Sequence, residues 1–179
     1  MRLHAEGALL WITGLSGAGK TTIAKLVTQS LRRNDRPVVH LDGDQLRPIF
    51  NASQAHRPED RKTLANNYSA LAKLLVEQDI DVVLSTISMF SSVRKNNRET
   101  IRRYFEIYLN VPLDILIERD QKYLYTKALK GEIDNVLGVD LPYDEPMNSN
   151  LVIVNDGRRT PEECALEIIE TYENYLESV

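Results

Sequence analysis

The stretch GLSGAGKTT, residues 14–22, sets Lys20, Thr21 and Thr22 directly after a turn that contains Gly14, Gly17 and Gly19. Glycine, four residues, then Gly-Lys-Thr is the spacing of a phosphate cradle. The apolar run ALLWIT precedes it and residues of helical period follow it, which is the strand-to-helix context the mechanism demands. Gly17 and Gly19 permit backbone conformations and a close approach that a Cβ would obstruct. Successive N–H groups of Gly14, Leu15, Ser16, Gly17, Ala18 and Gly19 can then turn inward around an anion, and the dipole of the following helix adds to them. Lys20 can reach outer phosphates as a point charge, while the Thr21 hydroxyl is placed to join a magnesium shell.

A second chemical cluster lies in LDGDQLR, where Asp42 and Asp44 flank Gly43. It falls after the second strand-like run, near where the tops of a parallel sheet converge. There one acid can orient magnesium-bound water, another can accept a proton from an attacking hydroxyl, and Arg47 can bind an acceptor anion. Alone, Asp-Gly would read as a turn with solvated carboxylates; the cradle on a neighbouring strand reverses that preference. The cradle does not by itself separate a GTPase, a motor ATPase and a small-molecule kinase. No Asn/Thr-Lys-x-Asp segment of guanine-specific GTPases is present, since TKAL at 126–129 lacks the acid, and DVVLSTIS ends without a Walker-B carboxylate. Asp79 and Asp81 sit at the wrong end of that run.

These groups need an α/β frame to position them. Five runs rich in Val, Ile and Leu (ALLWIT, PVVHLD, IDVVLSTIS, FEIYLNV, NLVIVN) alternate with segments of helical period. The first helix is expected from about Lys20 to Arg33, buried through Ile23, Leu26, Val27 and Leu31 and closed by Asn34 and Pro37. The run RPEDRKTLANNYSALAKLLVEQ predicts a long amphipathic helix with Pro58 and acids at its start and Leu64, Leu71, Leu74 and Leu75 inward. A further helix is expected near SSVRKNNRETIRRYF, another opens at Pro112 in PLDILIERD, and the last begins with a capping box of Thr160 and Glu163 and packs through Cys164, Ile168 and Tyr172. Between them, residues 120–150 are polar and punctuated by Gly and Pro. A connection of that length in a compact domain is usually functional, often a lid.

With 179 residues and 42% hydrophobic content, the chain suffices for a single domain spanning 1–179. A net charge of -4 argues against a nucleic-acid polymer as partner, so an anionic ligand must be held locally. The one cysteine, Cys164, and the short apolar stretch at the N-terminus point to the cytoplasm, and no run is long enough to suggest a membrane span. His4, His40 and His56 show no metal-ligand spacing, and Trp11 reads as core or interface. Tyr123 and Tyr125 could either cover a substrate base or pack the lid against the body.

WITGLSGAGKTT, LDGDQLR, ERDQKYLYTKALKGEI and GVDLPYDEP, four separated segments in order, make the chain resemble the adenylylsulfate kinases, from about Trp11 to Asn155. The resemblance implies a P-loop NTPase fold of the nucleotide-kinase type, three layers α/β/α with a five-stranded parallel sheet and a lid at about 120–150. It also implies ATP and magnesium as cofactors, a homodimer, and transfer of phosphate to the ribose 3′-hydroxyl of a nucleotide acceptor. Carried over by position, Gly14 to Thr22 bind ATP phosphates, and Asp44 is the favoured base or metal-organising acid beside Thr21. Arg47, Arg61, Ser88, Lys122 and Lys127, with Asp42 and Asp44, face the acceptor. Arg119 approaches the transferring phosphate or the adenine and joins Lys20 and Asp44 as a catalytic residue.

Departures from the family pattern gather on the acceptor side. Gln45 stands where Asn is usual, LANN at 64–67 lacks two acceptor arginines, and ISMFSS has Met89 for Pro and Ser91 for Arg. In VLGVD, Val136 replaces the aromatic ring expected to stack on the acceptor base. Donor residues retained beside rewritten acceptor residues suggest the same reaction on a different nucleotide. TISMF and RDQK resemble a smaller branch, the cytidine diphosphoramidate kinases of capsule biosynthesis. A nucleotide-binding module without acceptor chemistry is the alternative from another class; the lost arginines favour it, and the retained acids and lid oppose it.

Overall fold

A computed structural model describes residues 6–33, 36–52 and 57–178. Asn34, the expected helix terminator, and His4 and His56 lie outside the described residues. Five strands, β1 (Leu9–Thr13), β2 (Val38–Asp42), β3 (Asp81–Thr86), β4 (Tyr104–Asn110) and β5 (Leu151–Val154), form one parallel sheet in the order β2-β3-β1-β4-β5. All five coincide with the expected apolar runs. β1 is central and buried throughout, in keeping with a parallel strand covered on both faces.

Alternation along each strand divides the core in two. Leu10, Ile12, Val83, Phe105, Ile107 and Ile153 face α1 (Lys20–Arg33) and the C-terminal helix α7 (Pro161–Glu177), which pack together. Leu9, Trp11, Val82, Leu84 and Tyr104 face α3 (Pro58–Val76) and α4 (Ser91–Thr100). Trp11 is fully buried, a core residue. The capping box at Thr160 forms as expected, with the Glu163 amide donating to the Thr160 hydroxyl and the Thr160 amide to the Glu163 carboxylate.

Leu74 does not point inward: it is 55% exposed. α3 buries Leu64, Ala65, Tyr68, Ser69, Ala72 and Val76, and Leu74 lies about 200° around the helix from Ala72. Ala72 is fully buried against the sheet, while Leu71 and Leu75 lie half-buried against the same cluster. LDGDQLR also holds more than a turn. Asp42 caps a short helix, α2 (Gly43–Ile49), and a Cβ on Gly43 would meet the Thr86 hydroxyl at 2.9 Å, so α2 begins pressed against the end of β3. Asp79 and Asp81 lie at the opposite end of β3, where Asp81 accepts from the Ala8 amide and pairs with Arg36. No helix among the described residues is long and apolar enough to cross a membrane.

One buried ion cluster ties the 145–150 connection to the sheet. Glu106, on β4 and 1% exposed, accepts from Arg98 at 2.9 Å, the Tyr104 hydroxyl at 3.0 Å and the Ser149 hydroxyl at 3.0 Å. Arg94, 5% exposed, lies against the same carboxylate at 3.3 Å. Removing one partner of a buried pair leaves the other charge uncompensated. Glu106→Gln is therefore expected to lower unfolding free energy by about 3–5 kcal/mol in urea titrations; a loss under about 1 kcal/mol would show that water already screens the cluster.

Candidate functional site

Between β1 and α1 the chain turns through Gly17 and Gly19, at φ of 78° and 87°. A side chain at position 19 would also meet the Asn155 amide at 3.0 Å. Three side chains from distant segments hold the loop's carbonyls: the Tyr125 hydroxyl donates to Ser16 O (2.9 Å), Arg119 to Gly17 O (3.2 Å) and Asn155 to Ala18 O (3.0 Å). Leu15 and Ala18 are buried beneath the loop. Above it is a cavity of about 120 Å³ lined by Ser16, Gly17, Gly19, Lys20, Thr21 and Thr22 on the loop side and by Asp42 and Asp44 across from them. Lys20 Nζ donates to Leu15 O at 2.7 Å. Burial lowers its pKa to about 8, with the attraction of Asp44 and Asp42 opposing the fall.

The two acids have different surroundings. Asp42 is 6% exposed and accepts from the Thr21 hydroxyl at 2.6 Å, the Ser85 hydroxyl at 3.0 Å and the Asp44 amide at 2.9 Å. Burial alone would raise its carboxyl, but these three hydrogen bonds outweigh burial and hold its pKa below the usual carboxylate range. The Asp44 side chain is 73% exposed, with Lys122 Nζ 3.6 Å from its carboxylate. The residues present fit a hard cation of the magnesium type. Such an ion keeps several waters and takes one or two protein oxygens beside phosphates, and Thr21 and Asp42 offer those, while no group of three His, Cys, Asp or Glu able to hold a metal occurs among the described residues.

Asp44, Arg47, Ser16, Ile87 and Gln121 also line a second cavity, of about 540 Å³. Arg61, Lys122 and Lys127 add cationic groups there, and Leu124, Ile133, Val136 and Leu137 add an apolar wall. Arg61 donates to Asn135 O at 2.9 Å; burial and the nearby Arg47 lower its pKa, and its buried Nε has no hydrogen-bond partner among the described residues. The wall belongs to the 120–150 segment, which contains a 3-10 turn (Gln121–Tyr123) and two short helices flank that turn, α5 (Leu113–Arg119) before it and α6 (Leu124–Leu129) after it. Asp120 accepts from the Tyr125 and Thr126 amides in the first turn of α6, at 2.9 and 3.1 Å. Tyr125 is fully buried and packs the segment onto the body, whereas Tyr123 is 70% exposed.

The structure thus brings together the loop, Asp42, Asp44, Arg47, Arg61, Lys122 and Lys127. Two expected residues line neither cavity. Ser88 is fully buried and lines neither cavity, because the chain passes beneath Thr13, whose hydroxyl donates to Ser88 O at 3.4 Å. Arg119 is exposed and bound to Gly17 O of the loop and, at 3.0 Å, to Asn155 O, and it also lines neither cavity. Residues missed from the sequence are Ser85, Gln121, Asn155 and Tyr68, whose hydroxyl donates to Gly43 O at 2.9 Å. Ser85 and Asn155 sit at the carboxyl ends of strands, the position that could have marked them.

Phosphate loop, acid pair and adjoining cavity at the carboxyl ends of a parallel sheet define a P-loop phosphotransferase. The family model for adenylylsulphate kinase matches residues 6–154, and the chain belongs to that family. It is 43% identical over 162 residues, covering 90% of this chain and 94% of the relative, to a cytidine diphosphoramidate kinase of Campylobacter jejuni subsp. jejuni serotype O:2. It is 41% identical over 174 residues, 97% of this chain and 91% of the relative, to an adenylyl-sulfate kinase of Halothermothrix orenii. The solved structure of Mycobacterium tuberculosis APS kinase CysC in complex with AMPPNP and APS superposes with a TM-score of 0.86 at 35% identity, covering 94% of this chain and 98% of that one. A shikimate kinase from Aquifex aeolicus, 14% identical with a TM-score of 0.58 and covering 93% of this chain and 97% of its own, shares the fold.

The Lys20 shift gives a test of the cradle. An arriving phosphate restores the ammonium, so binding takes up a proton above pH 8 and affinity must fall as pH rises. ATP binding titrated calorimetrically in EDTA should weaken about tenfold between pH 7 and pH 9. An affinity flat over that interval would place Lys20 away from the phosphates.

Proposed function

We propose that the chain is an ATP-dependent kinase that phosphorylates the ribose 3′-hydroxyl of a nucleotide acceptor. The observation that supports this best is the place of Asp44, at the seam where the small phosphate cavity meets the large cationic and apolar one. A γ-phosphoryl group above Lys20 and an acceptor hydroxyl in the larger cavity would meet beside that carboxylate. Asp44 accepts the hydroxyl proton, and Lys122 Nζ lies 3.6 Å from its carboxylate. Lys20 and the loop amides stabilise charge on the transferring group, and Arg47, Arg61 and Lys127 hold the acceptor's phosphates. Thr21 and Asp42 would hold magnesium, which when bound neutralises phosphate charge. Catalysis is then positioning and electrostatics.

The acceptor is either adenylylsulfate, as the family model and the complex with APS suggest, or a cytidine diphosphate derivative. Val136 favours the second: at that position the cavity wall is aliphatic and offers no aromatic ring to stack on a purine. Similarity to the Campylobacter enzyme points the same way.

Purified protein incubated with ATP, magnesium and each acceptor separately should yield an acceptor heavier by one phosphoryl group in mass spectra. Asp44→Asn should lower that turnover by about 10²–10⁴-fold with little change in ATP affinity. Undiminished turnover would remove Asp44 as base, and phosphorylation of no nucleotide in the panel would reject the kinase reading itself.

A further inference from the structure

β2 carries a residue that touches neither cavity yet is linked by hydrogen bonds to the phosphate site. In the parallel register His40 pairs with Val83 and Asp42 with Ser85, so His40, Asp42 and Ser85 share the sheet face that lies under α1. His40 Nε2 is 3.1 Å from the Ser85 hydroxyl oxygen. That hydroxyl lies 3.0 Å from Asp42 Oδ2, and the Thr21 hydroxyl lies 2.6 Å from the same oxygen.

Donor counting fixes the direction of this chain. An ionised carboxylate only accepts, and a serine hydroxyl has one proton. The Ser85 proton therefore goes to Asp42, and His40 must present an N–H to the Ser85 lone pair. The Thr21 proton is likewise committed to Asp42, which leaves the lone pairs of Thr21 for a cation. A serine hydroxyl rotates freely unless both its donor and acceptor sides are engaged. His40 engages the acceptor side, so Ser85 is held donating and Oδ2 stays against Thr21, while Oδ1 is occupied by the Asp44 amide at 2.9 Å.

We infer that His40 is a positioning residue: acting through Ser85, it fixes the Asp42 carboxylate against Thr21 and so sets the place of the magnesium ion that accompanies the ATP phosphates. The inference rests on the metal reading made under Proposed function. His40 acts on the geometry of the metal side of the site; the phosphate cradle of amides and Lys20 is built without it.

ATP binding measured by calorimetry in excess magnesium and, separately, in EDTA tests this on the intact chain. In His40→Leu the gain in affinity that magnesium confers should shrink about five- to tenfold, with the EDTA affinity within about twofold of the parent. His40→Gln, which retains an N–H donor, should recover most of the gain. Ser85→Ala should lose as much as His40→Leu, and the double variant no more than either, because both act through one path. A magnesium gain unchanged in His40→Leu, an equal fall in both affinities, or additive losses in the double variant would each overturn the inference. If His40→Leu does not fold, a normal magnesium gain in Ser85→Ala overturns it equally. A parent protein with no magnesium gain at all would instead reject the metal reading on which the inference rests.

Discussion

The Asp42 carboxylate is the point on which the site's geometry depends. Through three hydrogen bonds it joins the first turn of α1, the end of β3 and the start of α2. These elements come from separate parts of the chain and meet only because β2 and β3 are neighbours and β1 follows β3 in the sheet. A buried anion is costly unless its lone pairs are engaged. Asp42 meets that requirement with donors that are themselves functional groups, so satisfying the charge and orienting Thr21 are one event. The same bonds hold the carboxyl ionised over the pH range in which the site would work.

Around that point the site divides into a fixed half and a half built on a long connection. The fixed half consists of strand ends, α1 and the glycine turn, tied at Ser16, Gly17 and Ala18 by side chains from elsewhere. The other half draws much of its wall from residues after Asp120, whose local order comes from within: Asp120 binds the Tyr125 and Thr126 amides, and Asp140 binds the Asn135 and Val136 amides at 2.6 and 2.7 Å. Its first turn includes Asp120, Lys122 and Tyr123 at positive φ, conformations costing on the order of 1–3 kcal/mol each for side-chain-bearing residues. Strain of that kind is retained where a segment must take up a particular shape beside a ligand.

How much of this was legible in the sequence follows from the range of the interactions involved. The phosphate loop could be read because its chemistry is local: glycines, lysine and threonine lie within nine residues and need only a strand before and a helix after them. Strands were legible from apolar runs for a similar reason. α2 was not, because Asp-Gly announces a turn, and only the contact of Asp42 with its own helix and with Thr21 and Ser85 turns it into a cap. Leu74 misled because a run of leucines gives apolarity without phase, and Ala72 set the phase of α3 instead. Ser88 and Arg119 were placed by resemblance alone; the backbone leaves Ser88 buried beside Thr13 and sets Arg119 on the carbonyl of Gly17.

The same division bears on how related enzymes can differ in acceptor. Residues that fix the donor half are bound into the sheet, so a substitution there disturbs the fold and the chemistry together. Val136 and Lys127 sit instead on a segment whose internal hydrogen bonds run through carboxylates and backbone amides, although Val136 itself also packs into the core. Exchanging an aromatic residue for Val136 alters the wall of the larger cavity without touching Asp42, Thr21 or Lys20. Arg61 reaches across from α3 to the Asn135 carbonyl, so the cationic group and the wall it faces are positioned by one backbone contact rather than by the identity of the side chain at position 136. The two halves still meet at Tyr125, whose hydroxyl holds Ser16 O of the loop, so a change in the larger wall can leave the phosphate side in place only where that contact is kept.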